Sequence, residues 1–135
     1  MSKSNTYEND LMLFTFNATA ISGIGGNLFI SLHSADVGED GNQTTSEISY
    51  TGYSRVSIPR DNTGWTVVGN NAVNAAQILF GNCTGGTATA THWAIGTSST
   101  GAGKVLYKGA LNSSLAISLN IQPIIGANAL SISED

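Results

Sequence analysis

LFISLHSADVGEDGNQTTSEISYTGYSRVSIPRDNTGW, running from Leu28 to Trp65, is the stretch that decides the fold. Its first piece, Leu28 to His33, is apolar enough to lie in a core. Its second, Tyr50 to Ile58, is rich in Tyr and β-branched residues and alternates around Gly52. It stops at Pro59, which has no N–H to give a ladder. Four acids (Asp36, Glu39, Asp40 and Glu47) lie between the two pieces, with no Lys or Arg among them. The pattern is strand, acidic loop, strand. It describes a β scaffold and names no chemistry.

Downstream, short apolar runs recur between turns rich in Gly, Asn, Ser and Thr. Trp65–Val68, Ala72–Phe80, Thr89–Ile95, Lys104–Leu111, Leu115–Ile121 and Ala127–Ser133 each read as a strand. In Thr89–Ile95, Ala90, His92 and Ala94 fall on one face and Thr91, Trp93 and Ile95 on the other. With the opening pair that gives about eight strands. The expectation is an all-β, jelly-roll-like antiparallel β-sandwich. Strands do not alternate with long amphipathic helices, so a parallel α/β fold is disfavoured.

Upstream, residues 1–26 read as an N-terminal arm and connector ahead of a β-sandwich domain over 27–135. Ser2 to Asn9 is expected to be a loose arm, with Asp10 capping a short apolar segment, Leu11–Phe16. Six residues do not separate a short helix from a buried strand by period. Ser22-Gly-Ile-Gly-Gly26 is a flexible turn; a dinucleotide fingerprint should follow a strand, and this precedes one.

The chain has 135 residues, enough for one domain with a real core. Only 10% are charged, against roughly a quarter in ordinary soluble domains. A net charge of −4 without a Lys/Arg cluster argues against nucleic-acid binding. No apolar run approaches the roughly 20 residues a membrane-spanning helix needs, so no membrane role is expected. Met1–Asp10 lacks the apolar stretch of a secretion signal, and synthesis in the cytoplasm is expected. Cys83 is the sole cysteine, which rules out an intrachain disulfide and a cysteine zinc cluster.

Three constellations come close to chemistry and fall short. Asp36, Asp40, Gly41 and Glu47 match a calcium-binding loop at its first, fifth, sixth and twelfth positions, but Gly38 stands where the third needs an oxygen donor. The flanking pieces are strands instead of helices. A calcium site would use Asp36, Asp40 and Glu47; a solvated acidic loop, projecting toward solvent or toward a partner, is the preferred reading. Gly101-Ala-Gly-Lys104-Val105 lacks the upstream glycine and the following Ser/Thr of a phosphate loop and reads as a hairpin turn. His33 and His92, the two histidines, lie in strands without a nucleophile elbow, and a buried, hydrogen-bonded histidine is the simpler reading. Cys83 has no base nearby. Trp65, Trp93, Tyr50, Tyr53 and Tyr107 would suit a carbohydrate-binding surface, but such residues more often fill a sandwich core. Neither catalytic residues nor cofactors are expected.

The order of these pieces resembles small structural proteins of tailed bacteriophages. The matching residues are Leu28-Phe-Ile-Ser-Leu-His-Ser-Ala-Asp36, then Gly52-Tyr-Ser-Arg-Val56, then Trp65. Ala90-Thr-His-Trp-Ala-Ile95 and Val105-Leu-Tyr-Lys-Gly-Ala-Leu111 continue the pattern. Ser54 stands where alanine is common. The resemblance implies a non-enzymatic virion protein, either a capsid decoration (cement) protein or a tail-fibre-like one. A compact domain without repeats suits a fibre shaft poorly, so the expectation is a cement protein on the outer capsid surface. It would bind the major capsid protein and itself as a homotrimer. A tail, baseplate or tail-fibre component is the alternative, and a carbohydrate-binding module the alternative from another class.

Overall fold

A computed structural model describes all 135 residues. Ten strands and one helix follow in the order β1 (Ser2–Lys3), α1 (Asn5–Asn17), β2 (Asn27–His33), β3 (Val56–Pro59), β4 (Trp65–Val68), β5 (Asn71–Asn74), β6 (Ile78–Leu79), β7 (Ala88–Gly96), β8 (Val105–Ile117), β9 (Ile124–Ile125) and β10 (Ser131–Ser133). They form an antiparallel five-stranded sheet, β1-β8-β7-β2-β3, a three-stranded sheet, β10-β5-β4, and a small β6-β9 pair. The fold is all-β and sandwich-like, with an N-terminal helix. The main core joins the sheets: Ile30, Leu32, Trp93, Ile95 and Ile117 come from the large sheet, Ile78 and Phe80 from β6 and its end, and Leu130 and Ile132 from β10 and its approach.

The large sheet is covered on both faces. In β2, Ile30 and Leu32 enter the main core, while Ser31 and His33 are equally buried on the other side. That outer face is roofed by the acidic loop, where Val37 packs with Ala94 and Val105. The loop is therefore folded back against the sheet and does not project. Val37 and Gln43 are buried within it.

Several elements differ from the sequence expectation for local reasons. The N-terminal residues are paired rather than loose: Ser2 and Lys3 register with Lys108 and Tyr107 of β8. The helix begins after Ser4, well before Asp10, because Ser4 Oγ accepts the Tyr7 N–H at 3.2 Å and donates to the Val105 carbonyl. The expected strand from Tyr50 survives only as Val56–Pro59. Gly52 has φ +105°, and its neighbourhood pairs instead with the 81–85 loop, through Thr84 N–H to Thr51 C=O and Thr51 N–H to Gly85 C=O. A Cβ at Gly81 would lie 1.8 Å from the Gly52 carbonyl oxygen, so these two backbones approach as only glycine permits.

Ala72–Phe80 divides into β5 and β6. Asn74, fully buried, donates to the Ala76 and Gly126 carbonyls and accepts the Leu130 N–H, which anchors the break. Lys104–Leu111 and Leu115–Ile121, expected as separate strands, are largely one strand, β8. Its register with β7 jumps from His92↔Ala110 to Ala90↔Leu115, so Leu111–Ser114 bulge out. The same irregularity changes the phase of β7. Ala90 therefore joins Trp93 and Ile95 in the main core, while Ala94 faces the loop.

One contact fixes the loop over the sheet. The Gln43 side chain is fully buried between Gly96 and Gly103, at the two ends of the β7–β8 turn. Its Nε2 donates to the Ser98 carbonyl at 3.1 Å, its Oε1 accepts the Ser98 N–H at 2.9 Å, and its own N–H donates to Ala102 C=O at 2.8 Å. A Cβ at Gly96 would sit 2.1 Å from Gln43 Cδ. Gly96→Ala should therefore destabilise by about 2 kcal/mol, and Gln43→Ala by about 2–4 kcal/mol through orphaned Ser98 groups and a cavity. In denaturant titrations the double variant should lose clearly less than the sum, because removing Gln43 removes the clash.

Candidate functional site

The four acids of the 36–47 loop do not converge. Asp36 and Glu39 both accept from Lys108 Nζ, each at 3.1 Å, across the outer face of the sheet. Asp40 accepts from Asn5 Nδ2 at 2.9 Å. Glu47 turns the other way and takes both ends of the Arg55 guanidinium, Nε at 2.8 Å and Nη2 at 2.9 Å. The three residues of the calcium reading are thus committed to three different partners, and no group of three or more metal-ligating side chains is assembled here or elsewhere. Each acid instead ties one piece of chain to another. Asp36 is held below the usual carboxylate range, first by the Gly38 N–H and then by Lys108. Burial works against the Lys108 charge, yet its carboxylate partners prevail and raise its pKa.

The Glu47–Arg55 pair belongs to the same seam as Gln43. Arg55 also donates to the Ser98 carbonyl at 2.9 Å and the Gly101 carbonyl at 2.7 Å. Its side chain is 4% exposed and that of Glu47 16%. Tyr53 Oη donates to Glu47 at 2.8 Å and accepts the Leu32 N–H; burial, first of all, pushes its phenol pKa far up. Sequence reading missed this seam because Gln43 and Ser98 are 55 positions apart and no motif links them.

His33 is buried and hydrogen-bonded at both nitrogens, as expected. Nδ1 lies 2.8 Å from the Thr45 carbonyl, which can only accept, so Nδ1 carries the proton. Nε2 then accepts from Ser31 Oγ, also at 2.8 Å. Although serine and histidine meet, both are sealed from solvent, which leaves no access for a substrate. His92 faces His33 across the β2–β7 pair and is half-buried, with Nδ1 2.7 Å from Thr91 Oγ1. Cys83 is buried and donates to loop carbonyls.

The aromatic residues divide. Tyr50 and Trp93 are buried in the main core, and Tyr53 stacks on Phe80 at its edge. Trp65 and Tyr107 instead line an open cavity of about 660 Å³ that draws walls from both larger sheets. Leu28, Val67, Ala72 and Ile132 complete an apolar lining, and Arg60, Asp61 and Glu134 bring charge to it. Glu134 is not free: it accepts from the Tyr107 hydroxyl and from Lys3 Nζ at 2.7 Å. The cavity has the size of a ligand pocket, within the range of about 300–1,000 Å³.

Two consequences can be measured. Arg55→Ala leaves Glu47 without its partner beneath the loop and should cost about 3 kcal/mol or more in a denaturant titration. Lys3→Ala, at a partly exposed pair, should cost under about 1 kcal/mol. Burial, above all, lowers the His33 pKa below its ordinary 6.5. The unfolded chain then takes up this proton more readily than the folded one. Stability from His33 is complete above about pH 6.5 and falls as pH drops below it, by at most about 1.4 kcal/mol per pH unit. Thermal melts between pH 7 and pH 5.5 should show this slope, and His33→Gln, which does not titrate, should lack it.

No helix is long and apolar enough to cross a membrane. No curated protein matches the chain. A family model does: that of the Podophage GP4 fiber I protein gp80, over residues 2–133. The matched span takes in the helix and all ten strands, and the chain belongs to this family of small, tail-fibre-like structural proteins of tailed-phage virions.

Proposed function

We propose that the protein is a fibre component of a podophage virion that works by assembly and contact, without catalysis. The observation that carries this reading is the fibre-protein family match along almost the whole chain. It supports the tail-fibre alternative over the capsid-decoration reading preferred from sequence. The physics of the fold supports it as well. The polar groups buried in the Gln43–Arg55–Glu47 seam are spent on holding loops rigid, and the Ser31–His33 pair is enclosed. The apolar groups left outside, on α1 and around the Trp65 cavity, are suited to packing against other proteins. In this reading its partners are neighbouring tail or fibre subunits and further copies of itself.

Cryo-electron microscopy of intact particles, with a Fab raised against the folded chain as a marker, tests the assignment. Extra density on the tail fibres or at their attachment is the expected result. Fab density on capsid faces with none on the tail would restore the cement reading and overturn this one.

A further inference from the structure

The C-terminal half of α1 has the composition of a buried helix and the surroundings of an exposed one. Five of the six residues from Leu11 to Phe16 are apolar. Yet no residue of the helix is buried, and Met12, Phe14 and Phe16 are 59%, 57% and 73% exposed. Its N-terminal half is well anchored: Ser4 caps it, Tyr7 packs edge-on against Tyr107, and Asp10 pairs with Lys104 at 2.5 Å. At about 100° per residue, Met12 and Phe16 lie on the side away from Tyr7 and Asp10, while Phe14 lies on their side. Since even Phe14 is exposed, the helix end overhangs the sandwich with apolar groups above and below. A helix apolar all round belongs in an interior, and this chain provides none for it.

The same chain carries a matching hollow. The cavity lined by Leu28, Trp65, Val67, Ala72 and Ile132 is open, apolar and unfilled, and Val67 and Val68 extend apolar surface beside it, at 68% and 74% exposure. Charge is complementary too. The last turn of α1 has no basic residue to offset the partial negative charge of its carbonyl end. Arg60, which lines the cavity beside Asp61, is exposed, forms no ion pair and donates from its side chain only to the Gly25 carbonyl. The acids of the lining are already engaged, Asp61 by Thr63 and Gly64 and Glu134 by Lys3 and Tyr107.

We propose that the apolar end of α1 from one copy, led by Met12 and Phe16, docks in this cavity of a second copy, with Arg60 of the receiving copy facing the helix C-terminus. A plug and a socket on different parts of one surface make a head-to-tail contact, which gives a ring where the rotation closes and an open filament where it does not. This goes beyond the fibre assignment and holds wherever in the virion the chain sits.

Light scattering on the full chain at micromolar concentration tests it. The expected result is a defined oligomer of the 13.9 kDa chain. Phe16→Asp (plug) and Val67→Arg (socket) should each give a folded monomer that melts cooperatively, at a temperature that no longer rises with protein concentration as that of the native oligomer does. Mixed in equal amounts, the two variants should form a heterodimer, since one intact plug and one intact socket remain. A monomeric native chain overturns the proposal. So does a Val67→Arg protein that stays oligomeric, which would mean that the helices pack on one another, or a mixture of two folded variants that does not pair.

Discussion

A buried polar seam holds the outer half of this molecule in place. Gln43 inserts its amide between Gly96 and Gly103 and completes the hydrogen bonds of Ser98, and Arg55, itself held by Glu47, caps the carbonyls of Ser98 and Gly101. An amide and a guanidinium taken out of water are costly unless every polar atom is met. Here the Gln43 amide finds backbone partners at one turn, the β7–β8 connection, and the guanidinium divides its bonds between that turn and Glu47. The long 34–55 excursion is therefore held against the β7–β8 turn despite its polar, glycine-bearing sequence.

That placement has consequences on the sheet beneath. A five-stranded sheet in a protein this small would ordinarily leave one face in water, and its strands would alternate apolar and polar. With the loop as a roof, Ser31, His33, Ala94 and Lys108 become interior residues. The loop supplies partners for three of them, the Thr45 carbonyl for His33, Asp36 and Glu39 for Lys108, and Val37 for Ala94, while Ser31 pairs with His33 within the sheet. Asp36 and Glu39 tie the roof to the sheet, Asp40 ties it to α1, and Glu47 holds Arg55.

Helix α1 follows the opposite logic. Its first turns are fixed to β8 and to the loop by a cap, an ion pair and an aromatic contact, while its last turns expose Met12, Phe14 and Phe16. A chain with 10% charged residues has little to keep such a surface apart from others. In a virion protein, where copies and neighbours are held at high local concentration, an exposed apolar helix end is a surface suited to the docking proposed above.

The residues themselves determine the class of fold. Period-two runs between Gly, Asn and Thr turns specify antiparallel strands, Pro59 marks an edge, and the phage-like order of the Leu28–Val56 and Ala90–Leu111 pieces points to the family. The buried state of His33 was also legible, from a histidine inside an apolar run. Tertiary structure decided the rest. Whether Asp36, Asp40 and Glu47 gather or separate depends on Lys108, Asn5 and Arg55, which lie outside the loop motif. Whether Tyr50–Arg55 extends a strand depends on Gly52 meeting Gly81, and whether the N-terminus is loose depends on β8 having an open edge. Local sequence sets backbone preference and face. Partners separated by tens of residues, brought together when the core closes, set which polar groups are satisfied and which apolar ones remain for another molecule.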